Sequence, residues 1–192
     1  LPELRPADPP PRNALVSAVA TRLQRVVPGY RRVADDLLAD GSRIDLFGVA
    51  DGQAVIALVG GPGDDLILVA RALAQREWLA PRLADWRKLA PNLGLRADAR
   101  VRALVVCPEF GAEARAAARA IGAGIGLVTW RTLRNGSDAD LLLEPIAAAP
   151  PPGAADGTTG SERREPERPS AFRSGLSESD LGLTAAERAE FE

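Results

Sequence analysis

With no histidine and a single cysteine, Cys107, this chain must do any chemistry with carboxylates, amides, hydroxyls and arginines. Histidine-based triads and zinc sites with His ligands are excluded, and no disulfide can form within the chain. The carboxylate best placed for chemistry is Asp45, in the run Arg43-Ile44-Asp45-Leu46-Phe47-Gly48-Val49 that leads to the turn Asp51-Gly52. A carboxylate on such a strand is a hard oxygen ligand for a divalent cation when further oxygens converge on it. Gln75 and Glu77, on the helix that follows, are the polar groups that could face it. The blander role for Asp45 is local capping or pairing beside Arg43.

The other reactive groups read more plainly. Cys107 ends an apolar run and has no base to activate it, so it reads as a small core residue. Gly60-Gly61-Pro62-Gly63 precedes a helix and has the makings of an anion cradle, but Asp64 and Asp65 would repel a phosphate there. It reads as a turn. Arg76, Arg82, Arg87 and Lys88 are interleaved with Glu77 and Asp85, the pattern of a solvated charged face.

The elements that must position these groups follow from periodicity. Asn13 is a candidate N-cap, and Leu15, Ala18, Val19 and Leu23 recur at helical spacing up to Pro28-Gly29. Tyr30 to Leu38 alternates weakly. Arg43 to Ala50 and Gln53 to Val59 form a hairpin across Asp51-Gly52. A long amphipathic helix then carries Leu66, Val69, Leu73 and Leu79, with Pro81 dividing it from a continuation through Leu83 and Leu89. Val101 to Val106 is apolar throughout, the mark of a strand covered on both faces. It leads into an Ala-rich helix, about Ala112 to Ala120, and a parallel strand, Ile125 to Trp130. Leu141 to Ile146 reads as an added edge strand. The expected fold class is α/β, a mixed central sheet flanked by helices.

Composition sets the outer limits. A 192-residue chain that is 46% hydrophobic is long enough for one domain with a real core. A net charge of −2 gives no global basic footprint, so any nucleic-acid contact must come from a local patch. No apolar run is long enough to cross a bilayer, and the chain reads as cytoplasmic. Residues 1–12, with five prolines, read as a disordered lead-in to the domain at 13–146. Residues 147–169, rich in Pro, Ala and Gly, read as a disordered linker. Residues 170–192 regain Phe172, Leu176, Leu181, Leu183 and Phe191, with a capping box from Thr184 to Glu187 that starts a short helix. This segment reads as a docking element for the domain itself or for a protein partner.

The order of elements, together with Arg43 to Val49, Asp51-Gly52, Ala54 to Val59, the Trp78 and Trp86 helix region and Val105-Val106-Cys107-Pro108-Glu109-Phe110, resembles the PD-(D/E)xK nuclease superfamily. The likeness is to the nuclease domain of mismatch-specific endonucleases of archaea and actinobacteria, and it covers about two-thirds of the chain. It implies a restriction-endonuclease-like αβββαβ core. In such nucleases an Asp and a Glu hold the metal ion, and a Lys two residues after the Glu faces the same side of its strand. Asp45 matches the Asp. The Glu and Lys positions are Ala57 and Val59, and the helix position where relatives often carry Gln matches Arg71. The resemblance therefore implies a catalytically inactive domain that binds or scaffolds, with Asp45 as a relic and no resident metal or cofactor. Two alternatives remain. One is a weak nucleic-acid binder that keeps the ancestral cleft, with Arg43, Arg71 and Arg76 as the candidate contacts. The other is a nuclease whose carboxylates have migrated, which alone would need Mg2+.

Overall fold

The apolar runs of the sequence become the centre of one seven-stranded mixed sheet in a computed structural model of the chain, which describes residues 5–39, 41–135 and 138–146. The segments expected to be a linker, 147–169, and a docking element, 170–192, lie outside the described residues. In chain order the elements are β1 (Arg5–Pro6), α1 (Arg12–Val26), β2 (Arg31–Ala39), β3 (Ser42–Ala50), β4 (Gln53–Val59), α2 (Asp65–Leu79), α3 (Leu83–Leu89), β5 (Val101–Cys107), α4 (Ala112–Ile121), β6 (Ile125–Asn135) and β7 (Asp138–Ile146).

The strand order is β1-β6-β5-β4-β3-β2, with β7 also paired to β6. β4, β5 and β6 are parallel neighbours, and the pairs on either side of them are antiparallel. β4 and β5 are buried along almost their whole length because helices cover both faces of the sheet. One face packs Leu15, Val19 and Leu23 of α1 on Leu46, Ala57, Val59, Leu104 and Val106. The other packs Leu68, Val69, Ala72 and Leu79 of α2, Leu83 of α3 and Ala114 of α4 on Ile56, Leu58, Ala103 and Val105. The expected break at Pro81 is a single 3-10 turn, Ala80–Arg82, between α2 and α3. It turns Trp86 edge-on to Phe47, with ring centroids 5.2 Å apart.

β7 starts at Asp138 rather than Leu141, and four further differences from the sequence reading have a physical reason. First, α1 begins at Arg12 with Pro11 as N-cap, not at Asn13; proline at a helix start loses no hydrogen bond, because the first amides have no intrahelical acceptor. Second, the lead-in is paired along residues 5–7: Arg5 and Pro6 lie opposite Arg134 and Leu133, and the Ala7 N–H donates to the Thr132 carbonyl at 3.0 Å. Third, the weakly alternating stretch after Tyr30 is a full edge strand, β2. Its alternation is broken by a bulge between Arg32 and Ala34 and by Asp36, which is left-handed at φ 54°. Fourth, β6 runs to Asn135 rather than stopping at Trp130. β5 ends opposite Thr129, and beyond that point β6 is flanked by β7 on one side and β1 on the other.

Candidate functional site around Asp45

Asp45 lies where two strands part. The β3–β4 ladder ends at the pair Leu46–Ala57, so the Val59 N–H has no carbonyl of β3 to meet. The Asp45 carboxylate takes that place: Val59 N–H donates to its Oδ2 at 2.7 Å. A buried amide without an acceptor would cost roughly 1–3 kcal/mol, so this bond is structural in its own right.

The second carboxylate oxygen faces α1. Arg12 Nη2 donates to Asp45 Oδ1 at 2.6 Å, and Nη1 of the same guanidinium donates to the Val59 carbonyl at 2.6 Å. One planar cation thus bridges a carboxylate and a carbonyl, the two oxygen types a divalent ion would also seek. A cation in the first turn of a helix opposes the helix dipole, and α1 carries no acidic residue there to offset it. Asp45, from another element, supplies the missing negative charge. It is only 9% exposed, whereas the Arg12 side chain is 60% exposed, so the pair sits at the rim of the core.

Ala57 and Val59, the two residues assigned by resemblance to a Glu and a Lys, close the site. Ala57 and Val59 are fully buried and pack with Leu46 under α1. Neither side chain offers an oxygen or a charge. A divalent ion does not fit this set: one Asp45 oxygen is held by the Val59 amide, the other by Arg12, and the adjoining side chains are hydrocarbon. Among the described residues no group of three His, Cys, Asp or Glu side chains is arranged to hold a metal.

The migrated-carboxylate candidates lie elsewhere. Gln75 is buried on α2, but its Nε2 donates to Ser42 Oγ at 3.0 Å and to the Arg43 carbonyl at 2.9 Å, which pins the helix to the start of β3. Glu77 is exposed and paired with Arg76 at 3.1 Å. Arg71, assigned by resemblance to a glutamine position, is exposed, and the glutamine turned into the core is Gln75, one helical turn later. Arg43 is bound to Asp36 of β2. Of Arg43, Arg71 and Arg76, only Arg76 lines a groove of about 650 Å³ at the N-terminal ends of β4 and β5, which it shares with Arg100, Arg102, Asp51, Gln53 and Glu77.

The remaining acids have local uses. Asp64 accepts from the Gly61 N–H at 2.8 Å, so the glycine cluster is a turn clamped by the first acid that follows it, while Asp65 accepts from the Gly111 N–H at 2.7 Å at the start of α4. Cys107 is buried at the end of β5, and burial, reinforced by the charges of Asp65 and Asp64, pushes its thiol up to about 12. The sequence reading missed Arg12 altogether. The one signal for it was an arginine directly after Pro9-Pro10-Pro11 at a helix start, which says nothing about a partner 33 residues away.

No family model and no curated protein matches this chain. Among solved structures it is similar to a repair endonuclease from Pyrococcus abyssi, at 15% identity and a TM-score of 0.45, over 63% of this chain and 47% of that one. It is also similar to EndoMS in a complex with double-stranded DNA, at 14% identity and 0.39, over 58% of this chain and 42% of that one. A third is SfsA of Pyrococcus furiosus in complex with Ca2+, at 13% identity and 0.39, over 69% and 61%. The chain therefore spans about half the length of the first two. What Asp45 does is decided by its own partners.

Proposed function

We propose that this domain is nuclease-like in architecture, does not cleave nucleic acid by a metal-dependent route, and works by binding, as a scaffold. The observation that carries this reading is the fork of Arg12 across Asp45 Oδ1 and the Val59 carbonyl, with Ala57 and Val59 buried beside it. A resident guanidinium there neutralises the one carboxylate that a hard cation would need. Phosphodiester hydrolysis by this route needs a metal to polarise the phosphate and generate the nucleophile, and these side chains supply neither a ligand set nor a lysine. The partner contact we assign to residues 170–192, through Phe172, Leu176, Leu181, Leu183 and Phe191. A cytoplasmic setting fits the lone buried thiol, and among the described residues no helix is long and apolar enough to cross a membrane.

A second reading has its own support. The groove lined by Arg76, Arg100 and Arg102 gives weak nucleic-acid binding a place to occur, though Asp51 and Glu77 in the same lining offset most of its charge. One pair of assays separates the readings. Single- and double-stranded DNA incubated with the full chain and Mg2+ or Mn2+ should remain intact, and a binding titration at physiological salt should show no complex. Metal-dependent cleavage that disappears in Asp45→Ala would overturn the proposal. Tight binding with a steep salt slope, lost in Arg100→Ala with Arg102→Ala, would favour the second reading.

A further inference from the structure

We infer that the groove at the N-terminal ends of β4 and β5 binds a small zwitterion with an apolar side chain, a free amino acid or a short peptide. The inference goes beyond the scaffold reading and stands or falls without it. At about 650 Å³ the groove has the size of a small-molecule site.

Strand order keeps its unlike charges apart. Asp51 lies in the turn between β3 and β4, and Arg100 and Arg102 belong to the start of β5. Gln53 of β4 pairs with Ala50 of β3, and its Oε1 accepts from the Arg100 N–H at 2.6 Å. Asp51 and Arg100 therefore stand on either side of β4, roughly 10 Å apart at the backbone. A dipeptide spans about 7 Å between its charged ends. Val55, beside Arg102 in register, forms the floor together with Ala50 and Val101.

The two ends of the groove attract opposite charges. Asp51 is left-handed at φ 50°, and its Oδ1 lies 3.1 Å from where a Cβ on Gly29 would sit, just past the end of α1. Val27, which caps α1, and Ile121, which ends α4, line the same space. Helix C-termini present the negative end of the dipole, so this side of the sheet suits an ammonium and repels a chain of phosphates. Arg100 and Arg102 answer with guanidinium groups, which match a carboxylate in a planar fork. Among the described residues none of Asp51, Arg100 and Arg102 has an ion-pair partner, whereas Arg76 is held by Glu77 at 3.1 Å and the nearby Arg96 by Asp98 at 3.0 Å. A simple anion would satisfy the arginines and meet Asp51 and the helix ends as like charge; a simple cation would do the reverse. A zwitterion satisfies both, with its ammonium toward Asp51, its carboxylate toward Arg100 and Arg102 and its side chain on the hydrocarbon floor.

Titrating the 15N-labelled full chain with leucyl-leucine and, separately, with leucine tests the idea through the amide signals of Asp51, Val55 and Arg102. Saturable shifts at those signals are expected, and the tighter of the two ligands tells whether the occupant is a peptide or a free amino acid. N-acetyl-leucyl-leucine, which lacks the ammonium, and leucyl-leucinamide, which lacks the carboxylate, should each bind at least about tenfold more weakly than leucyl-leucine. Two variants at exposed positions assign the ends. Asp51→Asn, which tolerates the left-handed backbone, should remove the preference for a free ammonium, and Arg100→Gln with Arg102→Gln should remove the preference for a free carboxylate. Signals that stay in place elsewhere in each spectrum show that the variants are folded. The inference is overturned if neither leucine nor leucyl-leucine gives saturable shifts, if the blocked ligands bind as well as the free ones, or if both preferences survive in the variants. It is equally overturned if a single-stranded oligonucleotide moves these signals and neither zwitterion does.

Discussion

At the scale of single residues, Arg12, Asp45, Ala57 and Val59 decide what this domain can do. Asp45 bonds a buried amide and a guanidinium at once, so its removal should weaken the fold rather than silence an activity. Asp45→Ala is expected to lower stability by about 2 kcal/mol, because it strands the Val59 N–H and frees Arg12. Arg12→Ala should cost about 1 kcal/mol, given how far that side chain is exposed. Asp45→Asn should fall between wild type and Asp45→Ala; urea unfolding of the three variants checks the order. Installing a Glu and a Lys at these positions, Ala57→Glu with Val59→Lys, should cost several kcal/mol and yield no cleavage, because both side chains would enter the hydrocarbon core under α1. The three strand positions were legible in the sequence because residues two apart on a strand share a face. Arg12 was not, because a contact between a helix start and a strand across the fold leaves no local pattern.

Two buried groups link residue chemistry to pH. Burial pushes the Cys107 thiol from 9.0 up to about 12, and burial with the Asp35 charge pushes the Tyr30 phenol from 10.0 up to about 12. In both the folded state favours the proton. Their contribution is therefore complete below about pH 9 and drains away between about pH 9 and pH 12, as the unfolded chain ionises first. Urea midpoints measured across that interval should fall, and Cys107→Ala should flatten the fall. The native thiol should stay inert to a disulfide reagent at pH 8.

Among the elements, the close approaches at glycines give the sharpest expectations. A Cβ on Gly48 would lie 2.4 Å from Tyr30 Cε2 and 2.5 Å from the Arg31 carbonyl, so β3 admits only glycine where β2 and the Tyr30 ring cross it. Gly48→Ala should destabilise by about 1–3 kcal/mol, since the clash includes backbone. At Gly124 the clash is with the Arg76 guanidinium, the free end of a flexible side chain, so Gly124→Ala should cost much less and turn Arg76 into the groove. Thermal melts of the two variants check the contrast. The central elements were readable because continuous apolar runs and 3.6-residue periodicity report burial directly. β2 was faint because its bulge and its left-handed Asp36 break the alternation that marks a strand. The far half of β6 was missed because Arg131 and Arg134 are exposed and break its apolar run, and its strand nature comes from pairing with β7 and β1.

For the whole molecule, the sheet brings together a nearly buried strand carboxylate, Asp45, and a resident cation, Arg12, that holds its outward oxygen. The α/β class and the order of elements followed from the sequence, whereas the groove with Arg100 and Arg102 did not, because it is assembled from strand ends that are distant in the chain. The central claim, that Arg12 rather than a metal neutralises Asp45, is tested most directly by titrating the 15N-labelled full chain with Mn2+ and following the amide signals of Asp45 and Val59. Paramagnetic broadening falls steeply with distance from the ion, so a manganese ion at this site would erase those signals first. The account expects both to persist at millimolar Mn2+ in the wild-type chain. Selective loss of the Asp45 and Val59 signals at low Mn2+, reversed by a chelator, would contradict it.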